Sequence, residues 1–251
     1  MKTTNYREAK RVHTSVLAAA ERRCLVWIAG RLPAWVNSDH LTTLAGVAMA
    51  GAGICYWIGP GSPAAMLAAI ALLAVNWFGD SLDGTVARVR HHERPRYGFY
   101  VDHVLDVVGI LCLLAGFALG GIMTPLIAAG FLVAYYLLMV EIALATHAVG
   151  TFRISFWKFG PTELRILLAV GTLQLLRSPY VTLAGERFLL FDVGGIVAIA
   201  ALCVTFVASA VTNGRLLYRL EPLPPPPEGG GHVACGARAP RLQWANGPRS
   251  S

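Results

Sequence analysis

Long apolar runs separated by short polar ones dominate the chain from about residue 41 onward. Runs over 41–59, 64–80, 99–121, 124–147, 163–182 and 190–212 are each a bilayer core in length, since a helix rises 1.5 Å per residue and the hydrocarbon layer is about 30 Å thick. The pattern predicts an all-α fold, an integral membrane bundle of six transmembrane helices. The fifth is the least regular, because Arg165 and Arg177 shorten its uncharged part. Ahead of the bundle, in residues 1–36, Val16, Leu17, Ala20, Cys24, Leu25, Trp27 and Ile28 recur at near-helical spacing against Lys10, Arg11, Glu21, Arg22 and Arg23. This spacing predicts an N-terminal amphipathic helix at the membrane interface; a solvated basic leader with a short helix is the plainer alternative. Residues 37–220 carry the membrane domain. Residues 221–251, beginning E-P-L-P-P-P-P-E-G-G-G, cannot build a core and read as a disordered tail. No internal repeat is visible.

Charge adds an orientation to this plan. The chain has 251 residues, 55% of them hydrophobic and 14% charged, with a formal net charge of +7. Lys2, Arg7, Lys10, Arg11, Arg22, Arg23 and Arg31 precede the first span; Arg88, Arg90, Arg94 and Arg96 lie in the segment 81–98; Arg153 and Lys158 precede the fifth span. The stretches 58–63 and 119–124 carry no basic residue. Basic loops stay cytoplasmic, so both termini are expected there. The basic residues are spread over loops and tails, which argues against a nucleic-acid partner and for contact with anionic membrane lipids. No cleavable leader is expected, because the first apolar run starts only after about 40 residues. The lack of an organelle signal is compatible with a bacterial inner membrane. Cys24, Cys55, Cys112, Cys203 and Cys235 show no metal-ligand spacing, and three lie in apolar runs, so they read as packing residues.

Candidate chemistry gathers where two apolar runs meet. The chain reads D-S-L-D-G-T-V-A-R from Asp80 and, after nine intervening residues, G-F-Y-V-D-H-V-L-D from Gly98. A carboxylate at the centre of a bilayer costs about 2.5 to 3.5 kcal/mol, and two like charges about 4 Å apart repel by about 4 kcal/mol at an effective dielectric near 20. Divalent cations would remove both penalties. Asp80 and Asp83 are spaced i, i+3 and Asp102 and Asp106 i, i+4, so each pair shares a helix face. Two such helices meeting at a hairpin would converge four hard oxygen donors, a set suited to Mg²⁺ or Mn²⁺. Gly84 and Ala87 leave the helix backbone open to a bulky ligand. Arg88 offers a planar fork for phosphate oxygens, and Gly98 leaves room beside the acids.

The whole pattern, D-x2-D-G-x2-A-R-x9-G-x3-D-x3-D, resembles the signature of the CDP-alcohol phosphatidyltransferase family, with Asp80, Asp83, Gly84, Ala87, Arg88, Gly98, Asp102 and Asp106 at the named positions. The resemblance implies an enzyme of phospholipid synthesis that moves a substituted phosphate from a CDP-alcohol to a hydroxyl acceptor and releases CMP. It implies Asp80, Asp83 and Asp102 as ligands of two Mg²⁺ or Mn²⁺ ions, with Gly84, Ala87, Arg88 and Gly98 around the nucleotide. Asp106 would be the general base, a metal ligand, or both. The donor would be CDP-diacylglycerol or a CDP-linked polar alcohol, and the protein a homodimer. His103 stands between the last two acids; the D-H pair is common in the choline and ethanolamine branch, and the chain lacks the Pro and Asp-Lys of the glycerophosphate and cardiolipin synthases. On a helix His103 points about 100° away from the acids, which argues against direct metal ligation. Asn37–Thr42 resembles the family's Asn-containing L-T segment in part, with Ser38 where Pro is usual; a plain helix cap by Ser38 or Asp39 explains it equally well.

Arg153, Lys158, Glu163 and Arg165 lie near the same expected face. They could receive a phosphate of acceptor or donor, although a Glu beside Pro161 and Thr162 is also ordinary capping chemistry. Glu141, deep in the fourth run, is either functional, protonated or satisfied by an intrahelical partner. Competing readings are a divalent-cation transporter and an inactive membrane scaffold. Acids at one membrane face, beside an Arg and two small residues, fit a nucleotide better than a midplane transport site.

Overall fold

The computed structural model describes residues 18–149 and 161–221. Within them the chain forms helices α1 (Ala18–Ala29), α2 (Ser38–Ile58), α3 (Pro63–Val89), α4 (Pro95–Leu119), α5 (Pro125–Val149), α6 (Pro161–Leu175) and α7 (Leu190–Leu220). Strands β1 (Tyr180–Leu183) and β2 (Glu186–Leu189) form a hairpin between α6 and α7. Polar residues and prolines set where the helices begin. Asn37 caps α2: its Oδ1 accepts from the His40 amide at 2.9 Å, and His40 Nδ1 accepts from the Asn37 amide at 3.4 Å. Pro63 and Pro95 open α3 and α4, where the missing amide costs nothing. The start of α5 is held from a distant helix, since Asp192 of α7 accepts from the amide and hydroxyl of Thr124 at 2.7 and 2.6 Å.

Helix α2 packs extensively on both α3 and α4, which lean on it rather than on each other. Small residues allow the close approach: a Cβ on Gly53 of α2 would overlap the Cys112 carbonyl of α4, and one on Gly79 of α3 would press on the Leu41 carbonyl of α2. Tyr56, Phe117 and Phe191 then lock α2, α4 and α7 edge to face, with ring centroids 4.7 Å apart for Tyr56–Phe117 and 4.9 Å for Phe117–Phe191. Thr172 of α6 donates to the Leu168 carbonyl at 2.7 Å, so the fully buried Tyr56 hydroxyl donates to Thr172 at 2.5 Å. Outward positions stay apolar, with Leu126 81% and Val204 70% exposed. That is the surface a lipid solvent demands.

Five helices (α2, α3, α4, α5 and α7) are long and apolar enough to cross a bilayer, and the chain is a multi-pass membrane protein. The structure departs from the six-span expectation at the fifth run. Helix α6 has 15 residues, roughly 22 Å at 1.5 Å per residue, short of a 30 Å hydrocarbon layer. Residues 180–182, expected to end that span, belong to β1 instead. Pro179 cannot continue the helical hydrogen bonding and disfavours helix at Ser178. Ala184 and Gly185, at φ of 52° and 87°, close the two-residue hairpin. Helices α3 and α7 also outrun their expected ends at 80 and 212. Of the expected N-terminal segment, residues 1–17 lie outside the described residues, as do 222–251 of the expected tail.

Gly53→Val should lower stability by at least about 1 to 3 kcal/mol, because the Cys112 backbone cannot yield as a side chain would. Gly61→Ala, into open space, should melt like the wild type; thermal unfolding in detergent of the two variants side by side checks this.

Candidate active site

The motif helix α3 carries two faces. At 100° per residue, Asp80, Asp83, Gly84, Ala87 and Arg88 fall within an arc of roughly 140°, while Leu82, Thr85 and Val86 point the other way. Leu82 and Val86 are buried against Leu25 and Ala29 of α1 and Leu41 of α2, so the site face is the one left open. Its start, Asp80, is set by a chain of polar contacts. Arg165 of α6 donates from Nη2 to Asp80 Oδ2 at 2.8 Å and from Nε to Asn76 Oδ1 at 2.7 Å. The buried Asn76 amide in turn donates to the Ala45 carbonyl of α2 at 2.9 Å. With their side chains 12% and 27% exposed, Arg165 and Asp80 form an ion pair shielded from much of the solvent.

Asp83 accepts from the Thr42 hydroxyl of α2 at 2.7 Å on one oxygen and from the Gly84 amide on the other. Above Gly84 the atoms nearest to an added Cβ would be those of the Arg88 guanidinium, from 3.5 Å. Arg88 Nη2 donates to Thr85 Oγ1 at 3.3 Å, and Gly98, on the first turn of α4, has open space beside it. Asp102 and Asp106 project from α4, and the charges acting on Asp106 are those of Asp102, Asp80, Asp83 and Arg165. The structure thus places all four motif acids and Arg165 within one electrostatic neighbourhood, although α3 and α4 are not in a tight hairpin. The turn between them is short, with the helix running to Val89 instead of ending at 80 and His91 taking φ 56°.

Sequence reasoning missed three participants. Thr42 holds Asp83, Asn76 holds the Arg165 that pairs with Asp80, and Tyr135 of α5 lies where the charges of Asp106, Arg165, Asp102 and Asp80 reach it. The L-T segment was a signal for Thr42, and a lone Asn one turn before Asp80 was a signal for Asn76. Nothing in sequence marked Tyr135, whose place depends on how α5 packs on α4 through the hydrogen bond from Tyr136 Oη to the Val107 carbonyl, 2.8 Å long. His103 Nδ1 is 3.0 Å from the Phe99 carbonyl, its ring 3.9 Å from that of Phe99. Glu163 lies in the first turn of α6, half-buried, while Arg153 and Lys158 lie outside the described residues. Glu141 is paired across helices: Ser209 Oγ and Asn213 Nδ2 of α7 donate to its two oxygens at 2.7 and 2.8 Å. Its carboxylate is satisfied by α7.

Four carboxylates with only oxygen donors have the chemistry of a hard divalent-cation site. As placed, however, no three His, Cys, Asp or Glu side chains among the described residues converge closely enough to hold a metal ion. Arg165 on Asp80 and Thr42 on Asp83 supply the neutralising and hydrogen-bonding groups in this arrangement.

A search of curated proteins finds no match to this chain. The family model for CDP-alcohol phosphatidyltransferase matches residues 35–211, from just before α2 to within α7 and across both motif helices. The chain belongs to the CDP-alcohol phosphatidyltransferase family, a family of transferases.

Proposed function

We propose that this protein transfers a substituted phosphate from a CDP-alcohol to a hydroxyl acceptor and releases CMP. The observation that carries the reading is the assembly of the motif acids, with Gly84, Ala87 and Arg88 on one open face of α3 and Asp106 opposite on α4. Gly84 and Ala87 let the nucleotide lie against the helix, and Arg88 takes a phosphate oxygen of the diphosphate; Gly98 leaves space on the α4 side. The donor is CDP-diacylglycerol, or a CDP-linked polar alcohol that gives its headgroup phosphate to a lipid hydroxyl.

Asp80, Asp83, Asp102 and Asp106 are the residues that would hold Mg²⁺ or Mn²⁺, as two ions, which would neutralise diphosphate charge and align attacking and leaving oxygens. Asp106 removes the proton of the acceptor hydroxyl. The freed oxygen attacks the β-phosphorus, a new P–O bond forms, the bond from that phosphorus to the bridging oxygen breaks, and CMP departs with that oxygen. Arg165, with Glu163 beside it and Arg153 and Lys158 preceding it, receives a phosphate on the acceptor. Thr42 and Asn76 hold Asp83 and Arg165 in place meanwhile.

In this reading the shorter α6 packs into the bundle of the five long helices, the amphipathic N-terminal helix lies on the cytoplasmic surface, and the site faces the cytoplasm of a bacterial inner membrane. The enzyme works as a homodimer.

CMP release by purified protein with Mg²⁺, supplied with CDP-diacylglycerol and polar alcohols or with CDP-choline or CDP-ethanolamine and diacylglycerol, tests the reaction. One productive pair identifies donor and acceptor together; no release from any pair would count against the reading. With that pair, Asp106→Asn should lower kcat by about 10²- to 10⁴-fold, the usual contribution of a positioned base. Arg165→Ala should raise the acceptor KM by about tenfold, equivalent to about 1.4 kcal/mol; an unchanged acceptor KM would take Arg165 out of the acceptor site.

A further inference from the structure

The C-terminal turn of α3, which presents Ala87 and Arg88, ends in an unusual way. The amides of Arg90, His91 and His92 donate back to the carbonyls of Val86, Arg88 and Ala87 at 3.0, 3.2 and 2.9 Å. Closing this cap puts His91 in the left-handed region at φ 56°, a conformation that residues with a Cβ adopt infrequently. Something must hold it there.

The Arg90 side chain supplies the hold. Its Nη2 donates to the carbonyls of Leu32 and Pro33 at 2.9 and 3.1 Å, and its Nη1 donates to that of Ala34 at 3.4 Å and to that of Val36. Four carbonyls of the α1–α2 connection thus converge on one planar fork, which spreads five N–H donors in fixed directions. The nearby Arg94–Asp39 pair is 2.6 Å long and exposed. Such pairs contribute little, so Arg90 is the stronger tie. The same connection leads into α1, whose Leu25 and Ala29 pack on Leu82 and Val86 behind the motif face.

We propose that Arg90 is a positioning residue for the nucleotide: by gathering the carbonyls of Leu32, Pro33, Ala34 and Val36 it ties the α1–α2 connection to the last turn of α3, and so fixes Ala87 and Arg88 for the CDP moiety. The proposal rests on the reading of that face as a CDP site. It separates geometry from charge, because lysine keeps the charge of arginine yet cannot span four carbonyls.

Isothermal titration of CDP in Mg²⁺ into the full-length protein tests it, with thermal melting alongside. Arg90→Lys should melt close to the wild type and bind CDP about tenfold more weakly, a difference of about 1.4 kcal/mol. Arg90→Ala, if it folds, should bind no better, and Arg94→Ala should bind within about twofold of wild type, as an exposed pair predicts. A wild type that binds CDP together with an Arg90→Lys variant of equal affinity would overturn the role of Arg90 alone, as would an equal loss in Arg94→Ala. A wild type that does not bind CDP would overturn the nucleotide reading and this proposal with it.

Discussion

The site depends on the close packing of α2 against both α3 and α4. Glycine and alanine at the crossings, Gly53 facing Cys112 and Gly79 facing Leu41 and Ala45, bring backbones close enough for dispersion and weak C–H contacts to act where lipid offers no hydrophobic drive. Helices α3 and α4 thus share α2 as a support and scarcely touch each other directly.

Polar groups at membrane depth are costly unless paired, and here they are paired across helices. Asn76 joins α2, α3 and α6 through the Ala45 carbonyl and Arg165; Tyr56 joins α2 to α6 through Thr172; Glu141 joins α5 to α7 through Ser209 and Asn213. Among the described residues no buried side-chain nitrogen or oxygen is left without a partner. The network around Arg165 has a second consequence, since the same guanidinium that satisfies Asn76 brings a positive charge to Asp80 inside the acidic cluster. Structural satisfaction and site electrostatics are carried by one side chain.

Helix α1 extends this logic to the end of the motif helix. Its buried residues back the motif helix, and its connection to α2 is drawn onto the end of that helix by Arg90. The motif face is therefore supported from behind by apolar packing and at its end by hydrogen bonds. A polar face can stay open to a ligand only when the opposite face is held in this way.

The sequence by itself determined the helical membrane class, the start of α3 to within a residue, and the grouping of Asp80, Asp83, Gly84, Ala87 and Arg88 on one face. Apolar run length, capping residues and the 100° helical step are local properties, legible residue by residue. Tertiary structure alone decided that α2 packs on both motif helices, that Thr42 reaches Asp83 and Asn76 reaches Arg165, and that Glu141 is occupied by α7. It also ended α6 at Leu175 and turned 180–189 into a hairpin, although Pro179 and the Ala184–Gly185 turn were written in the chain. Partners such as Arg165 with Asn76, separated by 89 positions, meet only because helices pack, and an apolar pattern specifies that a face is buried without specifying against what.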